Sequence, residues 1–174
     1  MEHRSVGKNE VIAMPSQTLI TQMEEVINKI KYPKKVKDIF LKNVVSFESN
    51  DNLSMLLSAV NYNGYSQFPV FEKGKLVGII SENGITNFLA HSIEDDLISI
   101  KETAVKDVLN LDETKNAFSI ISESKSIFDI ETIFSKKVSE GNSAFLLLIS
   151  VDGTIEKPED ITGIITPWDL PELI

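Results

Sequence analysis

Two stretches of this chain end in residues that could hold an anion. Leu76-Val77-Gly78-Ile79-Ile80-Ser81 and Ile161-Thr162-Gly163-Ile164-Ile165-Thr166 are each a short apolar run closed by a hydroxyl residue. Each run reads as a strand and the residues after it as a helix, which puts Ser81 and Thr166 at helix N-caps. There, unpaired backbone N–H groups and the positive end of the helix dipole attract negative charge, and a hydroxyl can bond a phosphate oxygen. Three residues beyond Thr166 stands Asp169, whose two oxygens can accept from both vicinal hydroxyls of a ribose. A hydroxyl and a carboxylate at that spacing suffice to hold a nucleoside phosphate. The same residues also fit a plain helix start, with Thr166 as cap, Pro167 in the first turn and Asp169 closing a capping box.

Nothing comparable supports a reaction. His3 and His91 are far apart in sequence, and there is no H-E-x-x-H, G-x-S-x-G, Walker A or G-x-G-x-x-G pattern. With no cysteine, thiol nucleophiles, thiolate metal sites and disulfides are excluded. Carboxylates are abundant, but without geometry their pairing carries no information. The residues therefore point to no catalytic group, no metal and no catalytic cofactor. A formal charge of −9, from 17 Lys+Arg against 26 Asp+Glu, sets the whole-protein field against nucleic acid and anionic lipid. No apolar run approaches the roughly 18 residues of a membrane span, and Met1 to Glu10 is polar rather than a signal peptide. These features, with the lack of cysteine, fit the cytoplasm.

The elements that position the two hydroxyls are themselves duplicated. Val36-Lys37-Asp38-Ile39-Phe40 precedes the first run and Val105-Lys106-Asp107-Val108-Leu109 the second, so two pairs of anchors recur in one order. Between them the pattern predicts, in the first half, a turn at Val36–Leu41, a strand over Val44–Phe47, and a helix over Leu53–Asn61 capped from Ser49–Asn52. A hairpin of Phe68–Phe71 and Leu76–Ile80 about Gly74 follows, then a helix carrying Ile85, Phe88 and Leu89. The second half repeats this with a turn at Val105–Leu109, strands near Phe118–Ser122, Ala144–Val151 and Ile161–Thr166, and a helix near Ile127–Val138. Pro171 leaves its last helix only about two turns. Ahead of both halves, Leu19, Ile20, Met23, Val26, Ile27 and Ile30 form the stripe of an amphipathic helix over 18–31. Residues 1–15 read as a polar lead-in, Lys31, Lys34, Lys35 and Lys37 as a solvated basic turn, and Glu94-Asp95-Asp96 as solvated linker.

V-K-D-I-F, P-V-F-E-K-G-K-L-V-G-I-I-S and T-G-I-I-T-P-W-D together resemble a tandem pair of CBS domains, a Bateman module. The resemblance covers about residues 36–174 and rests on the duplicated layout more than on one motif. It implies an α/β (α+β) fold of two β-α-β-β-α repeats packed about a pseudo-twofold axis, with the amphipathic helix ahead of them. The division is then an extension over 1–35, a first repeat over 36–92, a linker over 93–102 and a second repeat over 103–174.

CBS domains that bind adenosine compounds are similar to G-h-x-[ST]-x-x-[DN], h being apolar, and Gly163 to Asp169 matches at every specified position. The resemblance implies that Asp169 holds ribose, that Thr166 lies near phosphate, and that the base slots between first and second strands. That places Phe118, Ser119 and Ile120 with Phe145 and Leu146 as base contacts. The first repeat keeps Gly78 and Ser81 but has Gly84 where the acid belongs. Its base side is better furnished, with Asn43, Val44 and Val45 on the first strand and Tyr65, Ser66, Gln67 and Phe68 leading into the second. One good site and one degenerate site are expected. Trp168 stands inside the matched motif as either a lid or packing.

The implied function is that of a non-enzymatic sensor. An adenine nucleotide, AMP, ATP or cyclic di-AMP, would bind as regulatory ligand in a cleft between the repeats, and occupancy would pass to an effector protein. The family association into discs implies a homodimer. The rival readings are a ligand-free interaction module and, less favoured, an enzyme.

Overall fold

The computed structural model of the chain describes residues 15–94, 100 and 102–173. The lead-in over 1–14 and the acids Asp95 and Asp96 lie outside these residues. The chain divides into two units, one ending at Lys34 and one running from Lys35 to Ile174. In the first, the predicted stripe forms α1, Gln17–Lys31, started by Ser16, whose Oγ accepts from Leu19 N at 3.2 Å. None of its residues is buried, and Leu19, Met23, Val26, Ile27 and Ile30 are all exposed.

The second unit is the duplicated body. Its first half runs from a 3-10 turn at Val36–Asp38 through β1 (Phe47–Glu48), α2 (Leu53–Asn63), β2 (Gln67–Glu72) and β3 (Lys75–Ser81) to α3 (Glu82–Glu94). The second runs through α4 (Val105–Leu111), β4 (Phe118–Ser122), α5 (Ile127–Ser139), β5 (Leu146–Ser150), a 3-10 turn at Pro158–Asp160 and β6 (Gly163–Ile165), and ends in a 3-10 helix at Pro167–Leu173. Each half has one three-stranded sheet, ordered β1-β2-β3 and β4-β5-β6. The helical crossover makes the first pair of each sheet parallel, and the hairpin makes the second antiparallel.

Several predicted bounds shift. Val44 and Val45 were expected in the first strand, but β1 holds only Phe47 and Glu48, because the chain just before them is bonded elsewhere: Lys42 N donates to Thr162 O of the other repeat at 3.0 Å. Asn52 is the N-cap of α2 but makes no side-chain cap bond. The Leu53 N–H is taken instead by Thr103 O at 2.9 Å. The final helix is 3-10 throughout, with Pro171 inside it, since proline can donate no α-helical hydrogen bond.

The Val-Lys-Asp copies explain how the halves are joined. In each, the aspartate turns back on the backbone ahead of it: Asp38 Oδ2 accepts from Lys35 N at 2.9 Å and Asp107 Oδ2 from Ala104 N at 3.1 Å. The turn so formed then packs into the other repeat. Val36 N donates to Lys125 O and Lys37 N to Glu123 O, while Val105 N donates to Asp51 O and Lys106 N to Ser49 O, all between 2.8 and 3.1 Å. The side chains follow. Val36 and Phe40 are buried with Ile121, Ile130, Phe134 and Ile165 of the second repeat, and Val105, Val108 and Leu109 with Phe47, Leu56, Phe68 and Ile80 of the first. A third cluster, Phe71, Ile79, Leu146, Leu148 and Ile164, holds residues from both sheets. Each repeat thus completes the core of the other by exchanging its lead-in segment.

Exchange also explains the paired glycines. Phe40 O passes so close over Gly163 that an added Cβ would overlap it, and Gly78 would bring a Cβ within 3.1 Å of Lys115 O and Leu109 Cδ1. Gly163→Ala therefore costs about 1–3 kcal/mol in urea unfolding, and Gly78→Ala is destabilising too, because its φ of +157° disfavours a side chain and the Lys115 carbonyl beside it is backbone. At α5, Asp129 Oδ2 accepts from Ser126 N and Oγ, which accepts in turn from Asp129 N. These bonds hold the Asp129 carboxyl below its ordinary value. A depressed carboxylate stabilises the fold above its unfolded pKa and loses that effect as pH falls through its folded pKa. Ser126→Ala should cost about 1 kcal/mol at pH 7, with the difference from wild type shrinking in unfolding curves taken below about pH 4.

Candidate functional site

The strand-to-helix junctions at Ser81 and Thr166 lie in one region of the body. At the second, Asp169 Oδ2 accepts from Thr166 N at 2.6 Å and Thr166 Oγ1 at 2.8 Å. The carboxylate thus performs the capping role the sequence allows, but with one oxygen only. Among the described residues its Oδ1 accepts no hydrogen bond and faces Lys42 Nζ at 3.9 Å. That distance is too long for a hydrogen bond. The lysine side chain is half exposed.

These residues border a cleft of about 210 Å³ lined by Lys42 to Val45, Gly64 to Gln67, Ile164, Thr166 and Asp169. One wall is the exchanged lead-in and the segment entering β2, both from the first repeat. The other is the junction after β6, from the second. The crossing chain delivers Lys42 to Val45 here because Lys42 N is bonded to Thr162 O, and Gly64, the C-cap of α2, hands the chain to Tyr65, Ser66 and Gln67. A second cleft of about 340 Å³ adjoins it, sharing Ser66, Gln67 and Thr166, and lined also by Ser81, Glu82, Asn83, Thr114, Ser143, Leu146 and Trp168.

The structure thus brings Asn43, Val44, Val45, Tyr65, Ser66 and Gln67 together with Thr166 and Asp169. The sequence analysis sets Asp169 with Phe118, Ser119, Ile120, Phe145 and Leu146 of its own repeat. The apolar residues Phe118 and Ile120 instead pack against the shared cluster of both sheets, and Phe118, Ser119 and Ile120 line neither cleft. Phe145 is buried against Phe134 at 6.2 Å with Lys137 Nζ 5.0 Å over its ring. Phe68 is buried in the first core, its ring 5.7 Å from that of Phe47. Leu146 and Ser81 face the second cleft, and Trp168 is 92% exposed at its edge.

Lys42 and Ile164 were not foreseen. Lys42 adjoins Asn43 in sequence, but its approach to Asp169 needs the exchange, which no local pattern announces. A further unforeseen residue is Asp112, 2% exposed. Its Oδ2 accepts from Ser81 N at 2.6 Å and Ser81 Oγ at 2.8 Å, and its Oδ1 from Thr114 N at 2.8 Å and Oγ1 at 2.7 Å.

Residues 36–91 match the CBS domain family model. An uncharacterized protein of Methanocaldococcus jannaschii is 28% identical, over 87% of this chain and 99% of its own. Among solved structures, the CBS domain pair of protein MJ0100, in complex with 5′-methylthioadenosine and S-adenosyl-L-methionine, superposes with a TM-score of 0.52 at 20% identity, covering 81% of this chain and 95% of that one. The CBS domain of a CBS domain containing membrane protein from Sphaerobacter thermophilus gives 0.52 at 19%, covering 91% and 98%. At these identities the superpositions speak for the fold.

Proposed function

Since the chain is a CBS-domain protein, we propose that the cleft between Lys42 and Asp169 binds an adenine nucleotide and that its occupancy regulates a partner protein. The observation that carries this reading is the half-used carboxylate. Asp169 Oδ2 is spent on Thr166, while Oδ1 borders the cleft without a hydrogen bond among the described residues. A carboxylate oxygen so placed can accept from ribose hydroxyls. Lys42 Nζ, held near it by charge rather than by a bond, can turn to a phosphate. Tyr65 offers an aromatic face for a purine, and Asn43 and Gln67 offer amides for its edge. The CBS pair of MJ0100, solved with two adenosine compounds, supports the class of ligand.

Signalling follows from the walls. A ligand that touches Lys42 to Gln67 and Ile164 to Asp169 ties both repeats, so it favours whichever arrangement brings those walls to the right spacing. We assign the module a regulatory rather than catalytic role, as a homodimer acting on an effector protein in the cytoplasm, with AMP, ATP or cyclic di-AMP as ligand. Among the described residues, no helix is long and apolar enough to cross a membrane.

Thermal unfolding with each compound tests this. A ligand at 100 times its dissociation constant adds about 2.7 kcal/mol, which raises the midpoint of a chain this size by roughly 5–10 °C. One adenine compound should do so, and Asp169→Ala should weaken its binding about 10- to 100-fold, the worth of a charged hydrogen bond. No shift with any of them would favour a ligand-free interaction module. Lys42→Ala should weaken AMP while leaving adenosine nearly unchanged in calorimetric titration. An equal loss for both would remove Lys42 from phosphate contact.

A further inference from the structure

We infer that Asp112 is the acid of the cleft beside Ser81, supplied by the other repeat, and that it closes this cleft to ribose so that each chain takes a single ligand. The two junctions are matched atom for atom. Asp169 Oδ2 receives Thr166 N and Oγ1 at 2.6 and 2.8 Å, and Asp112 Oδ2 receives Ser81 N and Oγ at the same 2.6 and 2.8 Å. In the second repeat the acid stands three residues after the hydroxyl. In the first that position is Gly84, and a Cβ built there would overlap the Asp112 carboxylate. Glycine is required at 84 because the place of its side chain is already taken.

The chain that brings Asp112 there is an insertion. The exchanged bonds give matched anchors: Lys37 N to Glu123 O corresponds to Lys106 N to Ser49 O, and Val36 N to Lys125 O corresponds to Val105 N to Asp51 O. From Val36 to Ser49 is 13 positions, and from Val105 to Glu123 is 18, so the second lead-in is five residues longer. The extra length is spent in the turn after α4, where Asp112, the C-cap of that helix, reaches Ser81, and Lys115 O accepts from Ile79 N at 3.0 Å. The shorter first lead-in leaves its cleft open beside Asp169.

The two acids differ in what they have left to offer. All the donors on Asp112 come from the protein: two on Oδ2 from Ser81 and two on Oδ1 from Thr114. With about four lone-pair sites in all, a carboxylate so placed has none for a sugar, and at 2% exposure it could not be reached. Ser81 Oγ is committed as well, accepting from Gly84 N at 3.1 Å while donating to Asp112. What remains beside Ser81 is a chamber lined by Glu82, by hydroxyl and amide side chains and by Ala144, Leu146, Pro167 and Trp168, with no lysine or arginine among its lining residues.

The stoichiometry rests on the proposed function, whereas the acid exchange does not, so the test has two arms. In the first, urea unfolding without ligand compares wild type, Gly84→Asp, Asp112→Ala and the double variant. Each single change should lower the midpoint, one by crowding the Asp112 carboxylate and the other by stripping Ser81 of its acceptor. The double variant, with its acid back at the local position, should unfold above both singles. If Gly84→Asp alone does not fold, folding of the double variant is the supporting result, and a double variant that shows the summed losses or does not fold overturns the exchange. In the second arm, calorimetric titration of wild type with AMP should give one site per chain. Two sites would overturn the closure even if the first arm succeeds, and no AMP binding would count against nucleotide sensing while leaving the exchange to be decided by urea.

Discussion

The structure depends on an exchange of backbone hydrogen bonds between two turns. Val36 and Lys37 donate into the loop after β4, Val105 and Lys106 into the loop after β1, and in doing so each lead-in carries its apolar residues into the opposite core. A buried backbone N–H without a partner costs more than most single contacts gain. Neither repeat can therefore be pulled from the other without exposing polar groups and apolar surface together. The same exchange sets the position of the glycines. At Gly78 and Gly163 the visiting chain runs close over the host strand.

The clefts are a by-product of that packing. Where a lead-in crosses toward the other repeat, it forms a wall opposite the end of the third strand, so any site there draws on both halves. The second junction keeps an acid with one oxygen to spare. At the first, a longer lead-in brings its own acid and spends both oxygens inside the protein. Two copies of one architecture therefore differ in how their acid is bonded, through the length of a single connecting segment.

Much of this was legible in the residues. The duplicated Val-Lys-Asp and Gly-Ile-Ile-[Ser/Thr] anchors carried the repeats, because each is read from local spacing: an aspartate three residues past the N-cap, a hydroxyl at a strand end. The Thr166-to-Asp169 spacing led to the junction where the carboxylate bonds the hydroxyl. The resemblance put the clefts between the repeats, but which residues of the two halves face each other was not legible. Asp169 was set with Phe118 to Ile120 by aligning elements within one repeat, whereas the backbone bond from Lys42 to Thr162 brings the first lead-in to it, and hydrogen bonds between distant segments leave no periodicity. Gly84 was read as a missing acid. Counting residues from each Val-Lys-Asp to the following strand would have exposed the longer second lead-in, but only the fold shows that Asp112 in it reaches Ser81.

The central claim is that the ligand cleft is walled by both repeats, on the Asp169 side only. Amide hydrogen exchange with and without saturating adenine nucleotide tests it most directly, since it locates contact on the backbone without altering the chain. The account predicts slowed exchange in three separated stretches at once, 42–45, 64–67 and 164–169, with Asp112, Thr114 and Lys115 unchanged because their amides are already held. Protection confined to 118–120 and 145–146, with the first lead-in unaffected, would contradict it.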